Sequence, residues 1–207
     1  MALFHRATLK PTKAELITQW APTQAWGPPA DAPMDIVGAF RFDDPEGRVG
    51  METHLAAAEG TLYQVPLTYR DAPLAGAEDA LISEMEHSAL GTRWVYDGLG
   101  DAAYLGMLAA VALTGQGEAL GMIEYDGRWH IAPTNVRISG GGWGEERVPV
   151  DEFTLGSDDG AITVFSNDRF ELSVFRHPVP GPRPKIGLTA TWDGQTEPAV
   201  LAAIRER

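Results

Sequence analysis

The sequence predicts an α+β fold, in which a mostly antiparallel β-sheet meander curves around one buried helix and is followed by a β-rich C-terminal part. Three observations lead to this prediction. Short apolar segments separated by turn residues recur along the chain, as in antiparallel sheets. Residues 102–113 are apolar on nearly every side, which is typical of a buried helix. With 207 residues, 44% of them hydrophobic, the chain is long enough to bury a substantial core.

The N-terminal part of the chain predicts an arm, a short helix and five strands. Residues 3–9 are predicted to form a short strand or an arm. Thr12, followed by Glu15 three residues later, makes a capping-box pattern that predicts a helix over 13–20. Short turns join the strand candidates, so we expect antiparallel neighbours. These candidates are 36–42, 49–55, 62–69, 82–88 and 93–96.

The rest of the chain predicts one more helix and further strands. Asp101 is suited to cap the apolar helix and Gly115 to end it. Asp126-Gly127 is a strong hairpin signal between strand candidates 121–125 and 128–131. The segment 199–205 is ambiguous, because its Ala and Leu favour a helix whereas its place after a turn favours an edge strand. The other strand candidates are 135–139, 148–155, 161–166, 170–176 and 186–192.

Glycine content predicts the domain organisation. Residues 140–144 read GGGWG and are interpreted as a linker or flap. They separate an α+β domain over 1–139 from a β-rich region over 145–207. Packing of the second region on the first as one domain is the alternative.

Composition restricts the classes of partner. The chain has 29 Asp and Glu against 16 Lys and Arg, a formal net charge of -13. This balance argues against nucleic acids and anionic membranes as partners. Cysteine is absent, which excludes disulfides, thiolate metal sites and thiol nucleophiles. Neither a signal peptide nor a membrane-spanning segment is recognisable, so we expect a cytoplasmic protein.

Few residues suggest a reaction. None of the five histidines lies at metal-ligand spacing from another, and nucleophile and phosphate-loop motifs are missing, so no catalytic residue, cofactor or metal is predicted. The densest polar cluster contains Glu84, Glu86 and His87, with the two carboxylates on one strand face and the imidazole on the other. It could serve acid–base or metal chemistry, but a solvated strand face is the favoured interpretation.

Six tryptophans suggest sugar stacking as a second ligand hypothesis. Trp26 and Trp143 lie in Pro-rich and Gly-rich loops and are the surface candidates. Trp94, Trp129 and Trp192 lie in strand candidates and are expected to pack in the core.

Several segments of the chain resemble the maltokinase N-terminal cap domain family of actinobacteria. One long and unusual segment reads MEHSALGTRWVYDGLGD, and the matching segments are 1–16, 37–53, 65–74 and 85–101. In that family the cap precedes a kinase that phosphorylates sugars such as maltose or glucosamine. The resemblance implies a curved antiparallel sheet around a helix. It transfers no catalytic residue, because the kinase signatures are missing from this sequence.

The resemblance leads to three functional hypotheses. The first is a stand-alone, non-catalytic accessory protein that associates with a sugar kinase or another enzyme of α-glucan, trehalose or aminosugar metabolism. The second is a small carbohydrate- or metabolite-binding module. The third is an enzyme that uses Glu84, Glu86 and His87.

Alternation in the meander predicts where a partner would bind. One face of these strands would serve the core and the other would remain available for a partner or for self-association. The expected interface residues are Phe40, Phe42, Tyr63 and Tyr69. The alternative is that the β-rich region folds back and covers that face.

Overall fold

A computed structural model describes residues 2–4, 7–132, 134–144 and 152–207 of the chain. The helices are α1 (Lys13–Trp20) and α2 (Ala102–Thr114). The strands before α2 are β1 (Ala2–Phe4), β2 (Leu9–Lys10), β3 (Asp35–Phe42), β4 (Gly50–Ala58), β5 (Thr61–Arg70), β6 (Leu81–His87) and β7 (Gly91–Asp97). The strands after α2 are β8 (Gly121–Tyr125), β9 (Arg128–Ile131), β10 (Val136–Gly140), β11 (Thr154–Asp158), β12 (Ile162–Ser166), β13 (Phe170–Phe175), β14 (Gly187–Trp192) and β15 (Gln195–Glu206).

The strands of the described residues form three sheets. The first sheet has the order β2-β6-β7-β5-β4-β3, and the second has the order β10-β14-β15-β13-β12-β11. A small sheet has the order β1-β8-β9, and its β1–β8 pair is parallel whereas the other pairs are antiparallel. The fold is α+β and β-rich, with a sheet curled into a half-barrel, so the predicted fold class is confirmed.

Both helices begin as their sequences predict. The Thr12 hydroxyl accepts from the Glu15 amide, and the Glu15 carboxylate accepts from the Thr12 amide, which completes the capping box of α1. The Asp101 carboxylate accepts from the Ala103 amide at 3.0 Å and caps α2. Gly115 ends α2 with a φ of 69°, a conformation that glycine adopts without steric cost.

The helix α2 lies between the first and second sheets. It packs on β14, β10 and β15, and its Tyr104 hydroxyl is 2.6 Å from the Thr53 hydroxyl of β4. The main core therefore contains apolar residues from the first sheet, α2 and the second sheet. The opposite face of the first sheet packs on α1 and forms a second apolar cluster around Leu16, Ile17 and Val65.

The predicted interface residues are mostly covered inside the folded chain. Phe40 and Phe42 are buried in the main core, and the buried Tyr63 contacts the His177 ring at a centroid distance of 5.0 Å. An open aromatic face on the meander is therefore the wrong expectation for these three residues. The second sheet and α1 cover the two faces of β5, because each face carries apolar side chains.

The glycine-rich segment packs closely on the end of α2. The Gly142 amide donates to the Ala112 carbonyl at 2.9 Å, and the Gly144 amide donates to the Leu113 carbonyl at 2.9 Å. A Cβ at Gly142 would lie 2.1 Å from the Leu113 carbonyl oxygen, so only glycine fits there. Residues 140–142 are thus a tightly packed connection, not an open flap. The preceding β10, inside the predicted first domain, pairs with β14 of the second sheet.

Two predicted segments of the C-terminal part, 148–155 and 199–205, overlap with β11 and β15. The ambiguous segment 199–205 forms part of β15, which lies between β14 and β13. It is a central strand rather than a helix or an edge strand, because Ala199, Leu201 and Ala202 are fully buried there. Half of the predicted strand over 148–155 falls outside the described residues, and β11 begins at Thr154. Within the described ranges, no helix has the length and apolar composition that crossing a membrane requires.

Candidate functional site

A groove of about 540 Å³ opens at one end of the first sheet, on the face that carries α1. We call it the basic groove. Its basic lining residues are Lys13, Arg41, Arg48 and Arg93, and its acidic ones are Asp43, Asp44 and Asp71. Apolar walls come from Leu9, Phe42, Val49, Met85 and Leu90, and Tyr69 and His87 complete the lining together with Ala7, Gly47 and Gly50.

A buried carboxylate lies beneath the groove. Glu52 of β4 forms an ion pair with Lys13, the first residue of α1. Its Oε2 also accepts from the Tyr69 hydroxyl at 3.4 Å and lies 3.4 Å from Nε2 of His54. Burial alone would raise the pKa of Glu52, but the His54 imidazole and the charges of Lys13 and Arg41 hold it far below its usual value.

Strand register brings these groups together. Arg41 of β3 is the direct cross-strand partner of Glu52, and His54 lies two residues farther along β4 on the same face. Gly50 leaves room beside them, since a Cβ there would already contact the Tyr69 side chain at 3.4 Å. Burial and the Glu52 charge raise the pKa of Tyr69 well above its usual value, so its hydroxyl stays protonated and can donate.

The loop between β3 and β4 forms one rim of the groove. The Asp44 carboxylate accepts from three backbone amides, those of Glu46 at 3.0 Å and of Arg48 and Val49 at 2.8 Å. Burial raises the pKa of Asp44, but these hydrogen bonds and the Arg48 charge outweigh it and lower the pKa. The carboxylate thus fixes the loop that carries Arg48.

The turn between β6 and β7 forms the opposite rim. Nδ1 of His87 accepts from the amides of Ala89 and Leu90, each at 3.2 Å, so the proton of a neutral imidazole lies on Nε2. Arg93 lies opposite Met85 in the β6–β7 pair and donates to the Leu90 carbonyl at 2.8 Å. The side chains of His87 and Arg93 are half-buried and line the groove.

The groove is equipped for binding. Guanidinium and ammonium groups offer hydrogen-bond donors above a floor whose carboxylate is already paired. Among the described residues, no group of three or more His, Cys, Asp or Glu side chains could hold a metal ion.

The sequence-predicted ligand residues lie apart from one another. His87 lines the basic groove, as does Tyr69 from the predicted interface. Glu84 and Glu86 are exposed on β6, where Glu86 accepts from the Thr92 hydroxyl at 2.8 Å. The structure therefore does not bring the two carboxylates and the imidazole to one site.

The two tryptophans that the sequence predicted at the surface, Trp26 and Trp143, have opposite environments. Trp26 is buried, packs edge-to-face on Trp20 at 5.5 Å and lies under the Arg176 guanidinium at 4.5 Å. It has no free face for a sugar, so the sequence interpretation of Trp26 as a surface residue is wrong. Trp143 is 95% exposed at the end of the packed glycine segment.

A second surface was missed by the sequence analysis. Trp129, expected in the core, is 53% exposed on β9, and Ile131 on the same strand is 64% exposed. The reason is that β9 is an edge strand of the small sheet, with all four residues exposed. We call this region the hairpin surface, and its exposed apolar residues are Leu120, Tyr125, Trp129 and Ile131. The Asp126-Gly127 signal located the hairpin but not its exposure.

Long-range pairing hid the groove residues from sequence reasoning. Lys13, Arg41 and Glu52 are dispersed over three elements, and only the β3–β4 register and the position of α1 bring them together. The available signal was a charged residue, Arg41, within an otherwise apolar strand candidate.

A protein-family model matches part of the chain. Residues 20–101 match the family model of the maltokinase N-terminal cap domain, which confirms the resemblance over those residues. They comprise β3 to β7 and most of the basic groove, whereas α1 up to residue 19, α2 and the second sheet lie outside. No curated protein matches the chain.

Proposed function

We propose, from the maltokinase N-terminal cap match of residues 20–101, that this chain is a non-catalytic accessory module that binds an enzyme of sugar phosphorylation or of α-glucan, trehalose or aminosugar metabolism. The match is the observation that carries the proposal. A cap is by description a domain that accompanies a kinase, and the residues that follow the match here form α2 and the second sheet.

The main core indicates where such an enzyme would not bind. One face of the cap-like sheet is occupied by α2 and the second sheet, and α1 covers part of the other. The hairpin surface is the better docking area, because exposed apolar patches and unpaired strand edges favour association. Its β9 edge has both apolar and basic residues, because Arg128 and His130 alternate with Trp129 and Ile131 along the strand.

The proposal is tested with two measurements on the full chain. Incubated with ATP and either maltose or glucosamine, the chain alone should yield no sugar phosphate. Mixed with a maltokinase-type kinase of the same organism that has no cap of its own, it should form a complex in sedimentation velocity runs.

Two variants locate the surface in the second measurement. Ile131→Glu should lower the affinity of the chain for the kinase at least tenfold, since it places a charge in an apolar contact. Leu155→Glu is the matched control, because Leu155 on β11 is also 64% exposed, and it should leave the complex unchanged. Two results would contradict the proposal. One is kinase activity that stays with the chain when it is purified again, and the other is an equal loss of affinity for the kinase in both variants.

A small carbohydrate- or metabolite-binding module is the second candidate function. The basic groove favours it, since the volume of about 540 Å³ lies within the range of small-molecule sites, roughly 300–1,000 Å³. The tryptophans that first suggested sugar binding do not line this groove.

A further inference from the structure

We propose that the basic groove binds a small anionic metabolite that carries a phosphate or carboxylate group. The distribution of charge is the first argument. Four of the 16 Lys and Arg residues line the groove, but only three of the 29 Asp and Glu residues do. The lining therefore has a formal charge of 4 − 3 = +1 in a chain whose net charge is -13.

The pairing of the basic side chains is the second argument. Lys13 forms an ion pair with the buried Glu52 carboxylate, the Arg41 charge helps to lower the pKa of the same carboxylate, and Arg48 forms an ion pair with Glu46. Arg93 has a carbonyl as its hydrogen-bond partner and, among the described residues, forms no ion pair. A half-buried guanidinium that has no carboxylate partner among the described residues is suited to bind an anionic group of a ligand, which is notable in a chain this acidic.

Shape and donor chemistry fit the same class of ligand. Guanidinium groups such as that of Arg93 bind phosphate and carboxylate through two parallel hydrogen bonds. Phe42, Val49 and Met85 supply apolar walls for the remainder of the molecule. A long polyanion is disfavoured, because it would extend beyond the groove and be repelled by a chain whose net charge is -13.

Titration calorimetry on the full chain tests the proposal. Inorganic phosphate, pyrophosphate and citrate are the anionic probes, and glucose is the uncharged comparison. At least one anion should bind with one site per chain and with an affinity that falls as NaCl is raised, while glucose should give no saturable heat. The relative affinities of phosphate and citrate distinguish a phosphate site from a carboxylate site.

Matched arginine variants locate the binding. Arg93→Gln keeps a polar side chain but removes the charge, and it should lower the affinity for the anion at least tenfold. Arg128→Gln on the exposed β9 changes the net charge equally and should alter the affinity less than twofold. Circular dichroism checks that each variant is folded, and if Arg93→Gln is not, Arg48→Gln on the exposed rim replaces it.

Two results would overturn the proposal. One is the absence of saturable binding for all three anions at millimolar concentration. The other is equal weakening by Arg128→Gln and by the groove variant, which would indicate a diffuse charge effect. Neither result affects docking through the hairpin surface, since the two sites share no residue.

Discussion

Glu52 illustrates how one residue couples the groove to stability. A carboxylate with a side chain only 8% exposed loses most of its hydration, which costs several kcal/mol. Lys13, Tyr69 and His54 surround it and offset that cost. Removing the carboxylate leaves the cations in the same place without their counter-ion, so the surroundings of Glu52 depend on its charge.

Glu52→Gln should therefore destabilise the protein by about 3 kcal/mol at neutral pH, the low end for a broken buried pair because Lys13 is partly exposed. The folded-state pKa is lowered from 4.5, so this stabilisation is complete above pH 4.5 and is lost as the pH falls below it. Urea unfolding of both proteins should show a stability difference that narrows from pH 5 downwards. The exposed Glu84→Gln is the control, and an undiminished difference at pH 3 would contradict the assignment.

At the scale of elements, α2 is held at both ends by groups outside it. Asp101 caps its start and also accepts from both Nε and Nη2 of Arg70 at 2.7 Å and from the Thr68 hydroxyl at 2.8 Å. At its end, carbonyls that have no partner within a helix accept from the amides of Gly142 and Gly144. The helix is therefore fixed to both sheets through its termini as well as through its apolar sides.

Two glycine substitutions should have opposite effects on stability. Gly142→Ala would force a Cβ to within 2.1 Å of the Leu113 carbonyl oxygen and should cost about 1–3 kcal/mol or more. Gly106→Ala, inside α2 with no neighbour within 4 Å of the added Cβ, should gain about 0.5–1 kcal/mol. Thermal melts of the two variants provide the measurement. A neutral Gly142→Ala would mean that the glycine segment is not packed on the helix.

At the scale of the whole molecule, the two large sheets share one core. Met51 and Leu55 of the first sheet, Leu108 of α2 and Leu172 and Leu188 of the second sheet belong to the same buried cluster. Separating the sheets would expose this cluster to water, and the free-energy cost would be about 25 cal/mol for each Å² of apolar surface exposed. The cap-like part is therefore stabilised by the residues that follow it.

We expect the full chain to unfold in one cooperative transition. Calorimetry should give equal calorimetric and van't Hoff enthalpies, and tryptophan fluorescence and far-ultraviolet dichroism should have the same midpoint. Leu172→Ala in the second sheet should lower the stability by about 2–5 kcal/mol and shift both signals together. Two separated transitions would show that the sheets are independent domains.

Local signals in the sequence predicted most of the elements. The capping box of Thr12 and Glu15, the Asp101 cap and the Asp126-Gly127 turn each act within a few residues, so their chemistry is visible in the sequence. The apolar helix was likewise predicted correctly to be buried, because apolar residues surround it on nearly every side. Its position between two sheets was not predicted.

The features that were missed depend on pairing between distant segments. Trp129 is exposed because β9 has β8 on one side and an open edge on the other, which no pattern within RWHI reveals. The groove likewise depends on the register that sets Arg41 opposite Glu52. The central position of β15 required knowledge of which strands flank it, and its small residues alone favoured a helix.

The order of strands in the second sheet has a consequence for synthesis on the ribosome. The central β15 is made after the strands on both of its sides, β14 and β13. Until it emerges, β10 and β14 form one fragment and β11 to β13 another, with no strand to join them. Translation proceeds at about 5–20 residues per second, so this interval lasts on the order of seconds. We therefore expect the nascent chain to expose apolar residues of the shared core during this interval, and to be recognised there by ribosome-associated chaperones.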